Sequence, residues 1–231
     1  MKDHIFRYVV RFDSGAAPNP FGGWCTLAIC KPGIRRTAEV TDWIIGFRSR
    51  QVGRVTYVMQ VEQRLSFSEY WNDRRFHCKR PGRCESSDNI YRPDAAGDFV
   101  QIPNRVHRPS DAQRDLSGKC VLVGRRFWYF GDQSPQLPSG LVHLVHRGQA
   151  HSLPANRKDD DVATLEVWLS QWPAGVHGSP LDRDRLRPTM PNNAHTQSGC
   201  DPQRTAKLVR TPASPSRVRC WARAQRTNCV T

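Results

Sequence analysis

The 231-residue sequence has no apolar run that approaches the roughly 18 residues a membrane-crossing helix needs. Its first residues, MKDHIFRYVV, lack the sustained apolar core of a secretory signal. Although the chain has eight cysteines, their separations are not the paired short spacings of zinc sites. We therefore expect a soluble cytoplasmic protein with free thiols, without a bound metal and without a membrane partner.

Several well-known catalytic motifs are also missing. The sequence contains no glycine-rich phosphate loop, no Ser-containing nucleophile elbow, no HExxH string and no internal repeat. Whether the chain catalyses a reaction, and with which cofactor, stays open at this level.

Acidic residues are scarce towards the C-terminus. Residues 185–231 hold nine Lys and Arg against one acidic residue, so +8 of the formal net charge of +14 lies there. This segment is rich in Pro, Arg, Ser and Thr and has no apolar period, which predicts a disordered basic tail. Basic character favours a nucleic acid or another polyanion as partner. We expect one domain over residues 1–184, followed by this tail.

A distinctive loop follows the first predicted strand, residues 5–12, and precedes the second, residues 24–30. Prolines stiffen this loop and glycines open it, so its backbone N–H groups can stay accessible to a ligand. Three cations follow the second strand, at Lys31, Arg35 and Arg36. Such a loop fits an anionic partner, and it equally fits a structural loop whose cations are solvated.

The rest of the pattern predicts few helices. Residues 43–47 and 55–61 read as a β-hairpin, and residues 141–146 as a short strand. Ser66, three residues before a Glu, starts a predicted helix over residues 67–72, and residues 159–172 form another at helical apolar spacing. Together these elements predict an α+β domain with a mostly antiparallel, partly barrelled sheet.

Two cysteines are candidate nucleophiles, at Cys25 and Cys30. Because their separation is odd, they point to opposite faces of a regular strand, and only one can face a given pocket. The candidate bases are His77, His107, Asp13 and Asp42. We carry Asp13, Asp42 and Cys25 forward as catalytic candidates. Structural alternatives stay open, namely a buried inert thiol and carboxylates that cap or pair with arginine.

Recognition of a nucleotide has more candidates than catalysis. Cations can meet phosphate, amide side chains can pair with a base edge, and a tyrosine can stack on an extruded base. The predicted nucleotide-binding residues are Asn19, Lys31, Arg35, Arg36, Asn89, Tyr91 and Arg92.

Several strings together carry a resemblance. They are YVVRFD at residues 8–13, APNPFGG at 17–23, DWIIG at 42–46, EYWND at 69–73 and DNIY at 88–91. Over roughly residues 5–182 the chain resembles the nucleotide modification associated domain family, second type. The family pattern has Gly before the Asp-Trp string, where this chain has Thr41. A weaker, architectural likeness links the hairpin region to PUA-like and EVE-like barrels.

The resemblance implies a role beside enzymes that modify bases in DNA, in bacteria or phages. The leading hypothesis is that the domain engages a nucleotide or an extruded base, with DNA or nucleotide as partner. A non-catalytic PUA-like reader of modified bases is one alternative, and a small structural or interaction domain is another.

Overall fold

The computed structural model describes residues 3–148 and 158–186, and within these ranges the fold is mixed α+β. The strands are β1 (Ile5–Val10), β2 (Cys25–Leu27), β3 (Trp43–Arg48), β4 (Val55–Gln60), β5 (Gln63–Ser66), β6 (Tyr91–Pro93), β7 (Phe99–Gln101), β8 (Cys120–Gly124), β9 (Phe127–Tyr129) and β10 (Gly175–Val176). The α-helices are α1 (Pro32–Thr37), α2 (Phe67–Asn72), α3 (Ala112–Leu116) and α4 (Asp161–Leu169). Short 3₁₀ helices cover Arg74–Lys79, Pro109–Asp111, Gly131–Gln133, Ser139–Leu144 and Arg183–Arg185.

The strands form two main sheets and a small ribbon. The larger sheet has the order β1-β3-β4-β9-β10, in which β1 runs parallel to β3 and β10 parallel to β9. The second sheet, β2-β8-β5, and the β6–β7 ribbon are antiparallel. The predicted α+β class with mostly antiparallel pairing is confirmed. The described strands do not close into a barrel, and the PUA-like architecture is not confirmed.

Successive side chains along each strand point to opposite faces of the sheet, so the core consists of layers on either side of the sheets. One face of the larger sheet packs against α4, and its other face packs against β2, β8 and α1. The far face of the smaller sheet packs against α2 and β6. Within β2, therefore, Cys25 and Leu27 point into the core between the sheets, while Thr26 points to the opposite side.

Local sequence signals account for several elements. The capping box at Ser66 is present, and α2 begins at the next residue, as predicted. The predicted β3–β4 hairpin is also present. Thr41 has a φ of +81°, a left-handed conformation that is strained for a β-branched residue. Its hydroxyl donates to Asp3 Oδ1 at 2.7 Å, and its N–H donates to Val61 O at 2.8 Å.

Two other predictions differ from or lie outside the structure. Residues 141–146 do not form a strand, because most of them belong to the 3₁₀ helix Ser139–Leu144, which buries Leu141 and Leu144 at a spacing of three residues. The predicted tail lies outside the described residues from residue 187 onwards. In the part of the chain that is described, no helix has the length and apolar character needed to span a bilayer.

Candidate functional site

The candidate site lies where the chain turns sharply from β2 into α1. Cys30 has a φ of +58° and Lys31 a φ of +41°, so two successive non-glycine residues are left-handed. Such conformations cost free energy and persist only where the surrounding contacts hold them. Pro32 then starts α1 with the φ that a first helical position requires. The Cys30 side chain is partly exposed and, unlike that of Cys25, does not belong to the inter-sheet core.

Cys30 belongs to a hydrogen-bonded array with a histidine and a carboxylate. Its Sγ lies 3.2 Å from Nε2 of His107, and Nδ1 of the same ring lies 2.5 Å from Oδ2 of Asp115. Asp115 is fully buried on α3. His107 is held in place by Asn104, whose Oδ1 accepts the His107 backbone N–H at 2.7 Å. The order thiol, imidazole, carboxylate is the arrangement of a nucleophile, its base and the group that orients the base.

Charge in this array favours a protonated imidazole. Burial alone lowers the pKa of His107, but the hydrogen bonds to Asp115 and Cys30 outweigh burial and raise that pKa to about 10. Burial likewise raises the pKa of Asp115, and the hydrogen bond and charge of His107 reverse this effect, so the pKa of Asp115 is lowered overall.

Further contacts fix the positions of Cys30 and Asp115. Asp115 Oδ1 accepts the Cys30 backbone N–H at 2.9 Å, and Asp115 Oδ2 accepts the Tyr91 hydroxyl at 2.8 Å. Arg35 donates from Nε to Cys30 O at 2.8 Å, from Nη1 to Cys120 O at 2.9 Å and from Nη2 to Asp115 O. The guanidinium is fully buried, and a side chain at Gly118 would overlap it. Arg35 thus ties the Cys30 turn, α3 and β8 together.

A basic cluster adjoins Cys30. Burial lowers the pKa of Lys31, the Cys30 charge raises it, and the positive charges of Arg11 and Arg114 lower it further. These cations are therefore close enough to oppose one another. Lys31 Nζ lies 4.4 Å from the centre of the Tyr8 ring. In the described ranges neither Lys31 nor Arg11 has an ion-pair partner, whereas Arg114 pairs with Asp111 at 3.1 Å.

A buried polar network supports the loop that precedes β2. Lys79, with no exposed surface, donates from Nζ to Asn19 O, Trp24 O and Thr26 Oγ1 at 2.8 Å each. Thr26 Oγ1 in turn donates to Asp88 Oδ2 at 2.6 Å. Burial raises the pKa of Asp88 to about 6, although the charge of Lys79 lowers it. The network fixes both ends of the loop from Asn19 to Trp24 without an exposed contact.

Trp24 forms a second basic and aromatic feature, at the other end of β2 from Cys30. The guanidinium carbons of Arg75 and Arg125 lie 4.8 and 5.2 Å from the centre of its ring. Arg75 is also paired with Asp73 at 2.6 Å. Arg125 is exposed, and among the described residues its guanidinium has no carboxylate partner, although its backbone N–H donates to Glu62 Oε1 at 2.9 Å. Nucleic-acid surfaces combine aromatic rings and guanidinium groups in this way.

A family model described as nucleotide modification associated domain 2 matches residues 2–186. The chain belongs to this family. No curated protein and no solved structure gave a match in the same comparisons. Membership associates the chain with nucleotide modification, and it leaves the substrate and the chemistry open.

Within this family domain, the three catalytic candidates from the sequence are all buried in structural contacts. Cys25 is fully buried in the core, and burial raises the pKa of its thiol to about 12. Asp42 caps a turn, since its carboxylate accepts the backbone N–H groups of His4 and Glu39 at 2.7 and 2.8 Å. Asp13 Oδ1 accepts the Tyr129 hydroxyl at 2.6 Å, and burial raises the pKa of Asp13 to about 6. None of the three contacts the array at Cys30.

The predicted nucleotide-binding residues divide by exposure. Four of them are buried and bonded within the protein: Asn19, Arg35, Asn89 and Tyr91. The Asn19 amide donates to Ser86 O at 2.8 Å, and the Asn89 amide donates to the carbonyls of Tyr70 and Phe76 at 3.1 and 3.2 Å. Three others reach the surface, since Arg36 and Arg92 are exposed and Lys31 is partly exposed. Nucleotide binding stays a prediction for all seven residues. Only the three that reach the surface can contact a ligand without a rearrangement of the protein.

Sequence reasoning did not identify Asp115, and it did not connect Cys30 with His107, which lies 77 positions further along the chain. The available signal was weak. His107 and Asp115 are eight residues apart in a polar segment, and only the docking of α3 against the Cys30 turn joins them to the cysteine. In the described part of the chain, no group of three or more His, Cys, Asp or Glu side chains is placed to hold a metal ion.

Proposed function

We propose that this domain binds a nucleotide, or a base extruded from DNA, beside Cys30 and takes part in a system that modifies DNA bases. The phosphate would be bound by the basic cluster of Lys31, Arg11 and Arg114. The observation that carries the proposal is that Lys31, which is partly exposed and has no ion-pair partner in the described ranges, lies within electrostatic reach of Arg11 and Arg114. Cations that oppose one another are stabilised by an anionic ligand, and a phosphate supplies the required charge.

The surface around Trp24 supports nucleic acid over a free mononucleotide. The exposed Arg125 guanidinium and the Trp24 ring can stack on a base or meet a flanking phosphate. Trp24 and Cys30 are six residues apart, so they are separated by at most about 20 Å along the chain. A short single strand spans such a distance, which allows one strand to contact both features.

Binding can be measured by fluorescence anisotropy with short labelled oligonucleotides over a range of salt concentrations. Lys31→Gln and Arg11→Gln should each weaken binding about five- to tenfold and reduce the salt slope by roughly 0.7, the contribution of one phosphate contact on a single strand. Arg50→Gln, a matched change in the exposed β3–β4 turn, should leave affinity unchanged. Equal losses for all three variants would show that only net charge matters and would contradict a site at Lys31.

Extrusion of a base has its own signature. A duplex with a single mismatch should bind more tightly than the matched duplex, because an unpaired base leaves the stack at a lower free-energy cost. Equal affinity for the two duplexes would remove the extruded base from the proposal. A nucleoside mass profile of cells with and without the protein then separates a reader, which leaves the profile unchanged, from an enzyme.

A further inference from the structure

We infer that Cys30 is a catalytic nucleophile that accepts an acyl group as a thioester, with His107 as the proton donor and acceptor and Asp115 as a positioning residue. The acyl group would be carried by the nucleotide or modified base bound at Lys31, and this part of the inference rests on the proposed function. The nucleophile itself is argued from the Cys30 array alone.

The backbone at Cys30 is the first argument. A strand, a sharp turn with the nucleophile in a strained left-handed conformation, and then a helix form the arrangement that exposes the serine of a nucleophile elbow. Cys30 occupies the corresponding place between β2 and α1, with a φ of +58°. Asp115 holds its N–H and Arg35 its carbonyl, so the strained conformation is fixed at both ends of the residue.

The orientation of the imidazole is the second argument. Asp115 Oδ2 accepts from Nδ1 of His107 and from the Tyr91 hydroxyl, so the carboxylate faces two donors. This contact leaves Nε2 directed at Cys30 Sγ, 3.2 Å away. A ring held in this way can take the thiol proton and later return a proton to a leaving group. The raised pKa of His107, about 10, lets the ring hold the proton that it takes from the thiol until the leaving group needs it.

The reaction requires no oxidant or reductant. The Cys30 thiolate attacks the carbonyl carbon, the new S–C bond forms, and the π electrons move to oxygen. When the carbonyl re-forms, the bond to the leaving amine or alkoxide breaks, and that group takes the proton from Nε2 of His107. Neutral His107 next removes a proton from water or an acceptor amine as this attacks the thioester carbon. Collapse releases Cys30 as the thiolate, with His107 protonated again.

The first test uses the unmodified protein and iodoacetamide. Peptide mapping, with fragment spectra that separate Cys25 from Cys30, should show Cys30 alkylated at least ten times faster than Cys120, a partly exposed cysteine whose Sγ donates to Arg35 O. The buried Cys25 should not react. A rate at Cys30 equal to or below that at Cys120 would overturn the inference without any variant having to fold.

The second test uses p-nitrophenyl acetate as a small acyl donor. A burst of nitrophenolate, with one acetyl group on the Cys30 peptide, is expected for the wild-type protein and for Arg50→Gln in the exposed β3–β4 turn, and it should be absent in Cys30→Ser. His107→Gln should slow the acylation about 100-fold or more. Absence of a Cys30 acetyl adduct in the wild-type protein would overturn the nucleophile.

Asp115→Asn separates a positioning role from a merely structural one. An amide in place of the carboxylate puts an N–H group at one of the two oxygens that now accept hydrogen bonds. If that group faces Nδ1 of His107, the imidazole proton moves to Nε2, where it can no longer take a proton from Cys30. Acylation should fall about 100-fold while the melting curve stays cooperative, and Asp115→Glu should restore part of the rate. Full activity in Asp115→Asn would refute the assignment of Asp115.

These tests do not depend on nucleotide binding. Loss of the Cys30 adduct with oligonucleotide affinity intact would refute the nucleophile and leave the proposed function standing. An adduct at Cys30 without oligonucleotide binding would keep the thiol chemistry and refute the nucleotide as the carrier of the acyl group.

Discussion

Replacing Lys79 by methionine gives a sharp test of the network that supports the Asn19–Trp24 loop. Methionine keeps an unbranched side chain of similar length but has no donor. The change removes three hydrogen bonds, to Asn19 O, Trp24 O and Thr26 Oγ1. Since Lys79 has no exposed surface, water does not replace these donors without rearrangement.

The expected loss follows from what the substitution leaves behind. After the substitution, Asn19 O still accepts the Thr26 backbone N–H at 2.9 Å. The loss of the Lys79 hydrogen bond therefore costs more at Trp24 O than at Asn19 O. The larger effect is on Asp88, which is buried and loses the nearby positive charge. Removing one partner of a buried charged network costs about 3–5 kcal/mol. We therefore expect the free energy of unfolding to fall by about this amount at pH 8.

The loss should depend on pH in a defined direction. Burial raises the pKa of Asp88 to about 6, while Lys79 opposes this rise, so without the lysine the pKa moves higher. A carboxyl group whose pKa is higher in the folded state than in the unfolded state stabilises the fold at pH values below its unfolded pKa, near 3.9. This stabilisation is lost as the pH rises through the folded-state pKa. Lys79→Met should therefore cost less at pH 5, where Asp88 can be protonated, than at pH 8.

Urea denaturation of the wild type, Lys79→Met, Asp88→Asn and the double variant, at pH 5 and pH 8, measures both effects. The double variant should recover part of the loss at pH 8, with a coupling free energy of about 1–3 kcal/mol. Lys158→Met, an exposed control, should stay within about 0.5 kcal/mol of the wild type. A loss below about 1 kcal/mol, or the same loss at both pH values, would refute the reasoning.

Two further changes test the packing around the loop and the sheets. Burial raises the pKa of Asp13 to about 6, so its stabilising protonated form is lost as the pH rises through that value. Asp13→Asn keeps an acceptor for Tyr129 and cannot ionise, so relative to the wild type it should gain up to about 3 kcal/mol between pH 4 and pH 8 in urea titrations. Parallel pH curves would contradict this. Gly124→Ala would place a Cβ 2.2 Å from the Gln60 carbonyl oxygen and should lower stability by about 1–3 kcal/mol in the same assay. Gly140→Ala is the matched control, because a Cβ at that position would have its nearest neighbour at 3.8 Å. Equal melting temperatures for the Gly124 and Gly140 variants would refute the clash.

Signals that act within a few residues were readable from the sequence. The capping box at Ser66 set the start of α2, and alternating apolar residues identified the β3–β4 hairpin. The array at Cys30 is different, because Cys30 lies 77 positions before His107, which is eight residues from Asp115 in a second segment. Their meeting depends on how α3 docks against the β2–α1 turn, and no periodicity in the sequence encodes that docking.

The buried polar residues show a second limit of sequence reasoning. Asn19 and Asn89 lie in irregular segments and Arg35 lies in the short helix α1, and their polar side chains favoured a role at the surface. The structure uses their N–H groups to satisfy backbone carbonyls: those of Ser86 for Asn19, of Cys30, Asp115 and Cys120 for Arg35, and of Tyr70 and Phe76 for Asn89. Buried loops lack the partners that strands give each other, so side-chain donors replace them. A polar residue that binds a ligand at the surface and one that bonds a buried backbone carbonyl occur in segments of the same composition, so composition does not distinguish the two roles.

Burial therefore divides the cations after β2 into two roles. Arg35 is enclosed, and its three bonds hold the Cys30 turn against α3, so its effect on any reaction is to position the thiol. Lys31, one turn earlier, reaches the surface beside Arg11. In the proposed site, the same short segment thus supplies a buried cation that fixes the Cys30 turn and a partly exposed cation that would bind a phosphate. A phosphate bound at Lys31 would lie near Cys30, because the two residues are adjacent in the chain and the charge of Cys30 acts on the Lys31 ammonium.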